Sequence, residues 1–160
     1  MCDIKYYSNN QPPLLIQEII TGKISTYGYI ANRKGRVIRR FTADMLGEWQ
    51  ENKGNLKEYF VYDNGAKLNR EWQFQLIDEH HFTATAPDVI GVAKGEQYGN
   101  TIHMRYQIKL SIGSESQTIY FDDWQYRINE KMVLNKITMK KWGIKVGEIF
   151  LALEKSLINS

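Results

Sequence analysis

Residues 102–112 read Ile-His-Met-Arg-Tyr-Gln-Ile-Lys-Leu-Ser-Ile, and their rhythm decides the fold. Ile102, Met104, Tyr106, Ile108, Leu110 and Ile112 fall on one side of an extended chain, and His103, Arg105, Gln107, Lys109 and Ser111 on the other. A period of two belongs to a β-strand, here half-buried with one apolar face. The same period holds from Lys23 almost to the end of the chain. Turn-forming groups interrupt it at Lys34-Gly35, Lys53-Gly54, Asn64-Gly65, Asp78-Glu79, Tyr98-Gly99-Asn100, Gly113-Ser114, Asn129-Glu130 and Trp142-Gly143. Asn64-Gly65 is the clearest, because both residues tolerate the positive φ of a type I′ hairpin turn. Sequential hairpins make an antiparallel meander. About nine or ten long strands leave open edges unless the sheet closes. The expected fold is therefore all-β, an antiparallel up-and-down barrel, with a two-sheet sandwich as the alternative.

Before the strands, Pro12-Pro13 ends an extended lead-in over residues 1–13. Leu14, Leu15, Ile16, Ile19 and Ile20 follow, with Gln17 and Glu18 between them and Gly22 as the stop. That pattern suits one short N-terminal helix, placed as a lid above the barrel mouth. Residues 14–160 are read as a single barrel domain. The chain has 160 residues, 42% of them hydrophobic and 24% charged, which is one ordinary domain. At this length roughly 70% of the unfolded surface is buried, so no disulfide or metal is needed to hold the core. With only 3 prolines and 12 glycines, collagen-like and low-complexity classes are excluded. The net charge of +3 is too small to call for nucleic acid, and no nucleic-acid partner is expected.

Cys2 is the sole cysteine, which rules out an internal disulfide. No apolar run is long enough to span a membrane as a helix. Met1-Cys2-Asp3-Ile4-Lys5 lacks the basic and apolar run of a signal peptide, and on that reading the protein is cytoplasmic. A cysteine followed by a polar spacer is also how a mature bacterial lipoprotein begins, which makes Cys2 a candidate lipidation site. The competing reading is an incidental residue after the initiator methionine.

Alternation places a polar group on the apolar side of several strands. Arg39 lines up with Val37, Phe41, Ala43, Met45 and Trp49; Glu58 with Leu56, Phe60 and Tyr62; Arg70 with Leu68, Trp72, Phe74 and Leu76; Asn135 with Val133, Ile137 and Met139. In 118–127 the phase is open. Tyr120, Trp124 and Tyr126 carry Asp122 inward, whereas Ile119 and Phe121 carry Asp123. A charge taken out of water costs several kcal/mol unless paired. These groups are therefore either a structural ion-pair cluster or a polar anchor for a ligand head group. On the second reading Arg39 and Arg70 are the anchors, since a guanidinium fork suits a carboxylate. Glu58, Asp122 and Tyr62 steady them, Trp49, Trp72, Trp124 and Tyr106 line the apolar wall, and Asn135 adds a further inward polar group. From Ala84 to Gly95 the small residues Ala84, Ala86, Gly91, Ala93 and Gly95 either leave room for a cavity or admit a facing aromatic.

Other chemistry has weaker support. His80-His81 falls in a turn and His103 faces outward, so no metal site is expected, and no cofactor. Nucleophile-elbow, Walker and dinucleotide motifs are absent. The one enzymatic option is a carboxylate-based isomerase or hydrolase, with Glu58 as general base and Asp88 or Glu58 meeting the inward aspartate across the barrel. Two basic clusters, Arg33, Lys34, Arg36, Arg40 and Lys136, Lys140, Lys141, Lys145, are either solvated surface or, if they share one rim, a means of staying near anionic lipid.

A longer set of residues carries a resemblance. It runs from Gly28 through Arg33-Lys34-Gly35-Arg36-Val37, Arg39-Arg40-Phe41 and Asp44-Met45-x-Gly47-x-Trp49, then Phe60-x-Tyr62-Asp63-x-Gly65 and Arg70-x-Trp72. Asp88-Val89-x-Gly91-x-Ala93-x-Gly95, Gly99-Asn100, Tyr106, Phe121-Asp122-Asp123-Trp124, Asn135, Met139 and Gly143 to Gly147-Glu148 complete it. Over roughly residues 22–155 the chain resembles the DUF3833 family of bacterial proteins, many of them lipoproteins by sequence, with no assigned activity. The resemblance implies a calycin-type (lipocalin-like) barrel and attachment to the envelope through an N-terminal lipid. It transfers no catalytic residues. If Cys2 is the lipidated cysteine, Asp3 beside it fits the periplasmic side of the inner membrane.

The expected function is binding of a small hydrophobic or acyl ligand in the barrel, without catalysis, by a monomer or weak dimer, with membrane-surface attachment open. The alternative is a structural or partner-binding envelope protein with a filled barrel, presenting outward Ile38, Leu46, Tyr59 and Val61.

Overall fold

The computed structural model describes residues 3–112 and 114–156, with Ser111 and Ile112 described by their backbone. The readings placed on Cys2 and Gly113, and the face assigned to Ile112, lie outside the described residues. The strands are β1 (Gly22–Asn32), β2 (Val37–Gln50), β3 (Lys53–Tyr62), β4 (Lys67–Leu76), β5 (His81–Thr85), β6 (Ala93–Tyr98), β7 (Thr101–Ile112), β8 (Glu115–Arg127), β9 (Met132–Lys141) and β10 (Ile144–Lys155). Each pairs antiparallel with the next. β10 returns to β1 from Ile24↔Lys155 to Asn32↔Gly147, so the sheet closes into a barrel. The sandwich is set aside, and closure removes the edges a flat meander would expose. On β7, Ile102, Met104, Tyr106 and Ile108 are buried, as the alternation requires.

Turn chemistry differs in detail from the sequence reading. At 62–66 only Gly65 has positive φ (85°), and the amide of Tyr62 donates to the carbonyl of Ala66. That is a three-residue loop with glycine in the left-handed position, not a type I′ turn at Asn64-Gly65. The type I′ pattern instead belongs to Trp142-Gly143, at φ 54° and 76°. Lys53-Gly54 is already inside β3, opposite Trp49 and Gln50. A Cβ at Gly54 would sit 2.4 Å from the Trp49 indole, so glycine there gives the ring its place.

The two ends of the barrel are unlike. α1 (Ile16–Ile19) is a single turn that plugs the end where β1 starts. Leu14, Ile16, Ile19 and Ile20 are buried in it. The Ile16 amide donates to Gln97 Oε1 at 2.9 Å, and Trp49 Nε1 donates to the Ile20 carbonyl at 2.6 Å. The segment expected as a lid over the mouth is therefore the floor at the opposite end. Residues 4–7 form a 3-10 turn rather than an extended lead-in, with the Tyr7 ring edge-on to Trp124 and Tyr126 on the outer wall. Close to the floor, Phe82 occupies the notch left by Gly95, where a Cβ would lie 2.2 Å from its ring. At that level the small residues of 84–95 admit an aromatic; the open space lies above it.

Candidate functional site

Above α1 the barrel encloses a cavity of about 240 Å³ that reaches the opposite end. Ile20 is its floor; Phe41, Met45, Leu56, Phe74, Met104 and Ile137 are among its walls; Ile30, Tyr62, Leu68, Leu110, Met139 and Ile149 surround its mouth. The size approaches the lower end of small-molecule sites, which run from about 300 Å³.

Two groups of polar side chains interrupt the apolar lining. The first follows from register, because Glu58 on β3 stands directly opposite Arg70 on β4. Arg70 donates from Nε and Nη2 to Asp88 Oδ2, at 3.1 and 2.8 Å, and its Nη1 lies 3.7 Å from Glu58 Oε1. Its guanidinium also sits 5.8 Å from the centre of the Phe60 ring. Trp72 Nε1 donates to Glu58 Oε1 at 3.0 Å. Burial pushes the Glu58 carboxyl from 4.5 up to about 7, against the pull of Arg70 and Trp72. Burial also pulls the Arg70 guanidinium down, but Glu58 and Asp88 outweigh it and the net shift is upward.

The second group centres on Asp123 of β8. Tyr106 Oη donates to Asp123 Oδ2 at 2.8 Å, and Asn135 Nδ2 donates to Asp123 Oδ1 at 2.6 Å. Gln125 Nε2 adds a long bond to Oδ1 at 3.5 Å. Burial raises the Asp123 carboxyl despite these three donors, and burial with the neighbouring Asp123 holds the Tyr106 phenol well above its ordinary 10. The groups touch through aromatics: Tyr106 stands edge-on to Trp72, ring centres 5.3 Å apart. Two carboxyls, Glu58 and Asp88, thus face the Arg70 guanidinium, and Asp123 forms a separate buried carboxyl. Burial favours the protonated form of both Glu58 and Asp123, while Asp88 makes the close contact to Arg70.

Six of the ten residues assigned from sequence line this cavity: Glu58, Tyr62, Arg70, Trp72, Tyr106 and Asn135. Four do not. Arg39 has the inward parity but stands past the rim, exposed, with Nη1 donating to the Ile38 carbonyl at 3.0 Å. Asp122 faces outward and meets His103 Nε2 at 2.5 Å, while its neighbour Asp123 is the inward carboxylate. Trp124 shares the outward face with Asp122 and stacks on His103 at 3.9 Å. Trp49 points inward but belongs to the floor, 5.9 Å from Phe74 and tied to Ile20.

Asp88 and Gln125 went unassigned as ligand residues. Asp88 sits in the irregular connection between β5 and β6, where no period exists to orient it, and its Oδ1 is buried without a donor among the described residues. On β8 the buried Ile119 and Phe121 share the face of Asp123 and Gln125, but Tyr120, Trp124 and Tyr126 make the other phase equally apolar in sequence.

The description "Protein of unknown function (DUF3833)" matches residues 1–155. No curated protein matches the sequence. Among solved structures, the S-type phycobiliprotein lyase CPES from Guillardia theta superposes with a TM-score of 0.64 at 8% identity, covering 89% of this chain and 91% of that one. At that identity the likeness is one of fold. A structure of EF1p2_mFAP2b bound to DFHBI reaches a TM-score of only 0.45 at 8% identity, over 88% of this chain and 96% of the other, too low to carry weight. The chain belongs to the DUF3833 family.

Proposed function

We propose that this DUF3833 barrel binds a small, mainly apolar or acyl ligand with one polar group, and holds it without catalysis. The observation that carries the reading is a mainly apolar cavity whose lining is broken by two polar groups, Arg70 with Glu58 and Asp123 with Gln125 and Asn135. An apolar body with a few placed polar groups is the usual composition of a small-molecule site. Arg70 is already engaged by Asp88, so it offers its remaining donors beside Glu58, whose carboxyl is pushed up to about 7, rather than a free charge. A ligand that accepts hydrogen bonds fits that pair, a carboxylic or ester oxygen included.

A second reading has its own observation. A carboxyl near 7 in an apolar cavity is matched to general acid–base work at neutral pH, and Glu58 has that property. It makes the carboxylate-based isomerase or hydrolase the alternative.

Native mass spectrometry on protein purified without detergent, followed by extraction of bound material, tests the binding reading. A stoichiometric apolar ligand is expected, and titration with a dansyl-labelled fatty acid is expected to saturate. Arg70→Leu is expected to lose both while keeping a cooperative melt. If Arg70→Leu retains the probe, the anchor is wrong; if it unfolds, the arginine is structural and Glu58→Gln becomes the deciding variant.

A further inference from the structure

We propose that the open end of the barrel docks on an anionic lipid bilayer, with Trp142 entering the interface and the basic side chains of two adjoining hairpins on the headgroup phosphates. β1 and β10 stay paired as far as Asn32↔Gly147, so the β1–β2 and β9–β10 tips stand side by side beyond that rung. Most of the two basic clusters that strand alternation splits between faces is thereby brought to one rim, Lys136 excepted, which lies mid-strand opposite Trp124 and Phe150. Arg33, Lys34, Arg36 and Arg39 are exposed on one hairpin, and Lys140 and Lys141 are half-buried on the other. On these two tips the carboxylate pairs among the described residues are Arg40–Asp63 and Lys145–Glu148. The other six make no ion pair within 4 Å among the described residues, though Lys141 Nζ donates to Gln117 Oε1 at 3.0 Å and Arg39 to the Ile38 carbonyl.

The same rim presents apolar groups. Trp142 is 87% exposed, and Val37, Ile38 and Ile144 are 52%, 50% and 56% exposed. Trp142 holds φ at 54°, a region costly for a bulky side chain, where asparagine or glycine is the ordinary choice. Lys141 Nζ lies 4.6 Å from the centre of its ring. A tryptophan at a hairpin tip, flanked by aliphatics and set among cations without ion-pair partners, has the composition of a membrane-interface anchor. Single-stranded nucleic acid is the lesser fit. It needs a platform of several aromatics for stacking, and here one indole stands among branched aliphatics.

Ile30, Met139 and Ile149 line the mouth of the cavity just below these tips. Docking would set the mouth against the acyl region, so the ligand would exchange with the bilayer and be a membrane-resident amphiphile. That last step rests on the ligand-binding reading; the docking itself does not.

Co-sedimentation of the full chain with phosphatidylcholine vesicles, alone or with about one-third phosphatidylglycerol, tests it. Binding to the anionic vesicles is expected to exceed that to neutral ones by at least about tenfold and to fall as salt is raised. Trp142→Asn keeps a residue suited to positive φ, and the triple change Arg33→Ser, Lys34→Ser, Arg36→Ser alters only exposed side chains. Each is expected to weaken partitioning about tenfold with an unchanged melting temperature. Arg70→Leu, which removes the cavity anchor, is expected to bind vesicles as the wild type does. Equal binding to neutral vesicles, no binding, or full binding by Trp142→Asn overturns the proposal. Retention of a single-stranded oligonucleotide in place of vesicles reassigns the rim to nucleic acid and overturns it as well.

Discussion

The two ends of the barrel are built on opposite rules. At the closed end, Leu14, Ile16 and Phe82 are at most 1% exposed, and the remaining polar groups are bound: Gln97 takes the Ile16 amide and Trp49 donates to Ile20. At the open end, Leu68 is 39% exposed, Tyr62 is half-buried, and the hairpins project cations and a bare tryptophan. The inner wall between them carries the ionisable groups. The tightest packing lies behind the closed end, whereas at the open end the cavity reaches the surface between partly exposed side chains. Local stability is expected to follow the same gradient.

The strongest way to break that contrast is to remove one large side chain from each end. Phe82→Ala takes a ring out of a fitted notch, and the rigid strands around it collapse poorly. A cost of about 3–5 kcal/mol is expected. Leu68→Ala, which loses contacts on one side only, is expected to cost under about 1 kcal/mol. Urea denaturation of the two variants measures both. Equal costs would mean that the mouth is as tightly packed as the floor, and the functional division of the barrel would fail.

How far the sequence reveals these ends is instructive. Period two gives the direction in which a side chain points, and it placed Glu58, Arg70, Trp72, Tyr106 and Asn135 correctly on the inner face. It does not give height along the barrel. Arg39 and Trp49 share one face of β2, yet one stands beyond the rim and the other in the floor. The amphipathic turn at 16–19 was legible, but which end stays open depends on side chains from all ten strands at once. For Asp122 and Asp123 the two phases of β8 were equally apolar, because Trp124 and Tyr126 cover the outer wall beneath Tyr7. Asp88 lies in a connection with no period, and only the fold brings it to Arg70.

A smaller effect sharpens the contrast at the wall between the ends. Glu58 has an ordinary carboxyl value of 4.5 and about 7 when folded, so the folded state takes up the proton more readily. Below 4.5 both states are protonated and the full stability is present. As pH rises to about 7 the unfolded state sheds its proton first, and stability is lost through that window. At about 1.36 kcal/mol per pKa unit the loss is roughly 3 kcal/mol at most. Asp123, also raised by burial, adds in the same direction. The wild-type melting temperature is expected to fall by several degrees between acid and neutral pH, and Glu58→Gln to flatten that slope. A slope unchanged in Glu58→Gln would move the titration to Asp123 or to groups outside the cavity.

The smallest expected effect separates two neighbours on β8. Asp122 is outside, within 2.5 Å of His103, which stacks on Trp124; Asp123 is inside, held by Tyr106 and Asn135. Asp122→Asn keeps the shape but weakens a half-buried charge-assisted contact, and a cost of about 1 kcal/mol is expected. Because His103 lies parallel to the Trp124 ring, the near-ultraviolet circular dichroism of that indole is expected to change, while binding of the acyl probe stays the same. Asp123→Asn is expected to do the reverse, since its carboxyl borders the cavity and accepts from both Tyr106 and Asn135. Probe affinity that responds to Asp122→Asn and not to Asp123→Asn would mean that the inward phase of β8 is the other one, and with it the polar wall opposite Arg70.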